Sequence, residues 1–175
     1  MANFTLDTAH SSIQFEVKHM MVSKVKGQFD SYKADVTAEN LEDLTTATFD
    51  FSFDVAAINT KNDDRDNHLR SADFFDVAQY PTITFTSTSI TGSGSDYAVT
   101  GDLTIKDVTK PVTFELEYNG HGKNPWGVDV YGFEGETKIN REDFNLTWNQ
   151  ALETGGVLVG KDIKIKLELE INPAT

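Results

Sequence analysis

The segment RDNHLRSADFF, residues 65–75, sets Arg65, Asp66, His68, Arg70 and Asp73 directly before Phe74 and Phe75. Three kinds of chemistry suit such a set: proton transfer, metal ligation, or the polar rim of a site that holds an apolar molecule. On a helix Asp64 and His68 share a face at i, i+4, with Asp66 close by. A catalytic zinc needs three protein ligands and an open position. The remaining histidines, His10, His19 and His121, are distant in sequence, and no H-E-x-x-H occurs. The plainer alternative is a solvated helix whose acids pair with Arg65 and Arg70. An enzyme built on Asp64, Arg65 and His68 stays open as a second reading, without positive support. There is no G-x-S-x-G elbow. The chain has no cysteine, which removes disulfides, thiol catalysis and thiolate metal sites together. TGSGSD (91–96) lacks the Lys-Ser/Thr sequel and the helix of a phosphate loop, so it reads as a hairpin turn. The expectation is no catalytic residue, no metal and no cofactor.

Strands must position this segment. SIQFEVKH puts Ile13, Phe15, Val17 and His19 on one face, and TFDFSFDV does the same for Phe49, Phe51, Phe53 and Val55. TITFTST offers Ile83 and Phe85, and YAVTGDLTI offers Tyr97, Val99, Leu103 and Ile105. VTFELEY offers Val112, Phe114, Leu116 and Tyr118, and DIKIKLELEI sets Ile163 to Ile171 against lysines and glutamates. Two further strands are expected, over 24–36 with Phe29 as anchor and over 127–140 with a bulge near Gly132. Each has one dry and one wet face. Eight such antiparallel strands predict an all-β sandwich or closed barrel. The similar dry faces and the lack of a guarded edge favour closure. Helical turns are expected over 38–44 and over 59–75. In the second, Asn62 would cap the start, Asp63 and Asp64 would follow, and Arg70 would sit near the end.

At 175 residues the chain makes one domain, 1–175, able to bury a core without staples. Its net charge of −13 argues against nucleic-acid partners and anionic surfaces in general. No apolar run is long enough to span a bilayer, so stable membrane insertion is not expected. With Met1 as the natural start, the lack of a leader pattern predicts a cytoplasmic protein. An eight-stranded barrel is wide enough either to be filled by its side chains or to hold one small ligand, and the twelve phenylalanines are compatible with both.

Four stretches together resemble a known family: DTAHSSIQFEVKHMMVSKVKGQFD, INTKNDDRDNHLRSADFFDVAQYPTITFTST, GDLTIKDVTKPVTF and INREDFNLTWN. They resemble the YceI-like family of lipocalin-like, polyisoprenoid-binding proteins over nearly the whole length. The resemblance implies an eight-stranded antiparallel lipocalin-like barrel with one or two short helices in its connections. It also implies an apolar pore that binds, transports or stores a long-chain lipid or isoprenoid without a chemical step, and in some members a homodimer. A dimeric structural or stress-response protein is a further alternative. Asp107 and Asn145 stand where the family commonly has glycine, and both tolerate turn conformations.

On this reading Phe15, Val17, Phe29, Phe51, Phe53, Phe85, Leu103, Ile105 and Phe114 line the pore. Leu69, Phe74 and Phe75 close its mouth. His19, Arg65, His68, Arg70 and Asn149 form the polar mouth, with arginine suited to a phosphate or carboxylate head.

Overall fold

A computed structural model describes residues 2–152 and 157–174. The strands are β1 (Ala2–Leu6), β2 (Ser12–His19), β3 (Ser23–Phe29), β4 (Tyr32–Ala38), β5 (Thr48–Asp54), β6 (Ile58–Asn59), β7 (Thr82–Ser93), β8 (Asp96–Ile105), β9 (Val108–Lys123), β10 (Asp129–Asn140) and β11 (Val159–Pro173). One α-helix, α1 (Asp63–Arg70), joins β6 to β7.

Eleven strands make eight staves, because three staves are broken in the middle. β1 and β2 both run antiparallel to β11, with Leu6 opposite Ile171 and Ser12 opposite Glu168. The break between them is a turn in which Asp7 Oδ1 accepts from the Ala9 N–H at 3.0 Å. β3 and β4 form the next stave, and β5 and β6 the one after. The pairing of β1 with both β4 and β11 closes the ring, so the sheet is a barrel rather than a sandwich. The expected bulge falls between Gly132 and Phe133. The strand expected over 24–36 is split at Asp30–Ser31.

One end of the barrel is packed solid. The β4–β5 connection crosses it, with a short 3-10 turn at Leu44–Thr46 where the sequence suggested helix. Leu41 and Leu44 are buried beneath, in the same core cluster as Val36, Phe133 and Ile171. Tyr97 donates its hydroxyl to the Glu42 carbonyl at 3.1 Å and ties the connection to β8.

The other end carries α1. Asn62 caps it by accepting from the Arg65 N–H at 2.9 Å, with three acids in the first turn and His68 and Arg70 in the last. The β2–β3 turn lies at the same end. Its central residues, Met20 and Met21, have φ of 53° and 64°, a left-handed backbone that normally selects Asn-Gly. For a residue with a Cβ this costs about 1–2 kcal/mol each. Asn145 takes the same conformation at φ 62°. In the 106–107 turn the left-handed residue is Lys106, not Asp107.

Candidate functional site: a one-ended apolar hollow

A cavity of about 480 Å³ fills the half of the barrel below α1. Period-two strands create it directly. Ile13, Phe15, Val17 and His19 of β2 all face it, as do Ile163, Ile165, Leu167 and Leu169 of β11. Phe49, Phe51 and Phe53 of β5 stack along one wall, with neighbouring ring centroids 6.4 and 6.1 Å apart. The row continues through Phe29, 5.8 Å from Phe53, to Phe15, 5.6 Å from Phe29. Phe51, Phe53, Phe15 and Leu167 are only half-buried, because their inner faces meet empty space rather than each other.

All twelve expected pore residues line this hollow. Phe15, Val17, Phe29, Phe51, Phe53, Phe85, Leu103, Ile105 and Phe114 form walls and floor, and Leu69 of α1 with Phe74 and Phe75 of the turn after it complete the lining. Phe75 meets Phe29 edge-on at 6.2 Å, and Phe74 lies 5.3 Å from Trp148.

The polar lining is concentrated at the α1 end, where Lys18, His19, Thr60, Asp64, Arg65, His68 and Arg141 meet. Arg65 is held by Thr60, donating from Nε to its hydroxyl at 2.8 Å and from Nη2 to its carbonyl at 2.7 Å. His68 contacts the Asp73 carboxylate through Nε2 at 2.9 Å, and its ring stands edge-on to Phe74 and Trp148. Among the described residues, no hydrogen bond joins His68 to Asp64 or Asp66.

Two expected mouth residues lie elsewhere. Arg70 points back along the barrel and donates to the carbonyls of Ala56 at 2.9 Å and Ile58 at 3.2 Å. Asn149 is turned to β11, donating to the Val159 carbonyl at 2.7 Å and accepting its N–H at 3.0 Å. Both fasten the mouth's frame rather than line it.

Arg141 lines the hollow and is absent from the expected set. Only 2% of it is exposed. It donates to the carbonyls of Gly160, at 2.7 Å, Leu146 and Val159. Among the described residues no carboxylate lies within ion-pair distance of it. Burial pulls its pKa down, partly offset by nearby Glu142, but a guanidinium keeps its proton in proteins. The wall therefore carries a buried positive charge, held by main-chain carbonyls and offset in part by Glu142 rather than by a direct ion pair. Strand parity points toward it, since Ile139 faces inward and residue 141 is two on, although it opens the short 3-10 turn just past the end of β10.

Outside the barrel His10 Nδ1 lies 2.8 Å from Asp7 and 3.5 Å from Glu170, an exposed group that the sequence did not single out.

A closed antiparallel barrel, packed at one end and hollow at the other, defines a lipocalin-like container. The YceI-like domain matches residues 4–171, and the chain belongs to the YceI-like family. It is 48% identical over 174 residues to the UPF0312 protein SAB2563 of Staphylococcus aureus (strain bovine RF122 / ET3-1), covering 98% of each chain. Among solved structures it is similar to Burkholderia cenocepacia BcnA, with a TM-score of 0.81 and 27% identity over 97% of this chain and 99% of that one. A polyisoprenoid-binding domain from Saccharophagus degradans, implicated in plant cell wall breakdown, shares the fold. Its TM-score is 0.75 at 13% identity, over 99% of this chain and 100% of that one.

Proposed function

We propose that the protein binds a long-chain apolar lipid, a polyisoprenoid or similar, and serves its transport or storage without a chemical step. The observation that carries this reading is the hollow itself, apolar along its depth and polar at its mouth. At about 30 Å³ per water-sized group, 480 Å³ holds roughly sixteen such groups, so a tail of that order fits inside. Each buried methylene gains about 0.8 kcal/mol, enough for a tail of this size to outweigh its ordering cost. Arg65 and Arg141 would face the head, which favours an anionic or strongly hydrogen-bond-accepting group. The polyisoprenoid-binding relative of the same fold is consistent with this reading.

The test is extraction of the purified protein with organic solvent and mass spectrometry of the extract, followed by addition of isoprenoid alcohols and fatty acids. A co-purifying or tightly added long-chain molecule is expected. Empty extracts together with failure to take up any chain of ten or more carbons would end the proposal.

A further inference from the structure

The β2–β3 turn shows three large apolar side chains to solvent, with Met20, Met21 and Val22 exposed by 45%, 56% and 84%. Nothing in the turn's own geometry asks for them. Both methionines hold a left-handed backbone that Asn-Gly would adopt without strain. The tip also stands directly over the mouth. The Met20 N–H donates to the Leu158 carbonyl at 2.8 Å, and Leu158 and neighbouring His19 both line the hollow.

The charge beside the tip opposes that of the chain. Lys18 and Lys24 face each other across the two strands, one pair below the turn, and Lys26 faces Glu16. Like charges set opposite one another repel. Lys24 finds Glu16 at 3.6 Å, while Lys18 has no carboxylate partner among the described residues. On this hairpin three lysines outnumber the one acid, Glu16, and at physiological salt a surface senses charge within about 8 Å, so the distant part of the −13 total is screened, while Asp63 and Asp64 of α1 share this end of the barrel. Exposed apolar side chains flanked by lysines suit the headgroup region of an anionic membrane.

We propose that this tip docks the protein, reversibly, on an anionic lipid bilayer and so presents the mouth to the lipid phase. The proposal gives the lipid-binding reading its route of loading and rests on it for that role only. The β9–β10 turn supplies an internal control. Trp126 there is 84% exposed, but it lies at the packed end, beyond the Tyr131–His121 pair.

The experiment is flotation of the full chain with phosphatidylcholine vesicles containing about one-quarter phosphatidylglycerol, at low salt, with the lipid content of each protein read separately by extraction. Wild type is expected to float. Met20→Asn/Met21→Gly, which eases the turn while removing its apolar surface, should float at least about fivefold less and carry less lipid as purified, while still taking up lipid added directly in solution. Lys24→Glu/Lys26→Glu should lose the preference for phosphatidylglycerol, and Trp126→Ser should behave as wild type. Wild type that stays at the bottom, or equal flotation of wild type and the turn variants, overturns docking. So does a concentration-dependent dimer that the turn variant abolishes, which would make the tip a contact between copies. Wild type that floats but neither carries nor takes up lipid leaves docking standing and ends the carrier reading instead.

Discussion

Asp66 Oδ1 receives both the main-chain N–H of Thr60, at 3.0 Å, and the Thr60 hydroxyl, at 2.5 Å. Both residues are buried, and the same hydroxyl accepts from Arg65 Nε. One aspartate thus pins the start of α1 to the stave that ends at Asn59, and through Thr60 it aims a cation at the mouth. Asp66 is the acid that the sequence left on a solvated helix face.

Asp66→Ala leaves a buried N–H and hydroxyl without their acceptor, a loss of about 1–3 kcal/mol. Urea unfolding should show a lower midpoint. Hydrogen exchange should rise over Thr60 and α1 while β8–β10 stays protected. Uniform protection across α1 would contradict the pinning role.

Arg141→Met removes the buried charge and orphans carbonyls at Gly160 and Leu146. Calorimetric titration should show about a tenfold loss of preference for acid-headed over alcohol-headed ligands of equal tail length, as charge-assisted hydrogen bonds are the strong ones. Arg141→Lys should restore part of the preference. Equal losses for both ligand classes would place the effect in folding rather than in recognition.

Affinity should climb about fourfold for each methylene added to a saturated alcohol, the equivalent of about 0.8 kcal/mol per group. The climb should flatten near sixteen carbons, where the cavity is full. Leu167→Trp, which pushes an indole into the void from a half-buried wall position, should shorten that limit by several carbons with little loss of stability. A series that rises undiminished past twenty carbons would show that the hollow expands.

The hydrogen bond to Asp7, with its charge and that of Glu170, raises the pKa of His10 above its ordinary 6.5. The same hydrogen bond lowers Asp7 below 3.8. The His10 contribution to stability is complete below pH 6.5 and fades as pH rises through the raised value; that of Asp7 is complete above 3.8 and fades as pH falls through the lowered one. The pair is therefore intact between these two ordinary values. Ring proton shifts followed by NMR should place the His10 midpoint above 6.5, and Asp7→Asn should bring it down. An unchanged midpoint in the variant would remove Asp7 as the cause.

The walls were legible because a strand repeats every two residues. Once Phe15 faces inward, so do Ile13, Val17 and His19, and the structure places all four in the hollow. The misplaced residues follow equally simple geometry. Arg70 lies five positions after Arg65, about 140° around a helix, so the two cannot share a face, whereas His68 and Leu69 can share one with Arg65. Asn149 follows inward-facing Trp148, and neighbours in an extended segment point opposite ways. The void itself had no signature. Phe51 and Phe53 read identically whether their inner faces touch other rings or nothing, and only the diameter of the closed ring decides.

Because Leu41 and Leu44 stopper the far end, anything stored here leaves through the doorway by which it came. On the carrier reading, unloading would be loading run backwards, with the buried tail the last part to emerge. Donor and acceptor would then take turns at a single threshold, with no relay passing a molecule straight through.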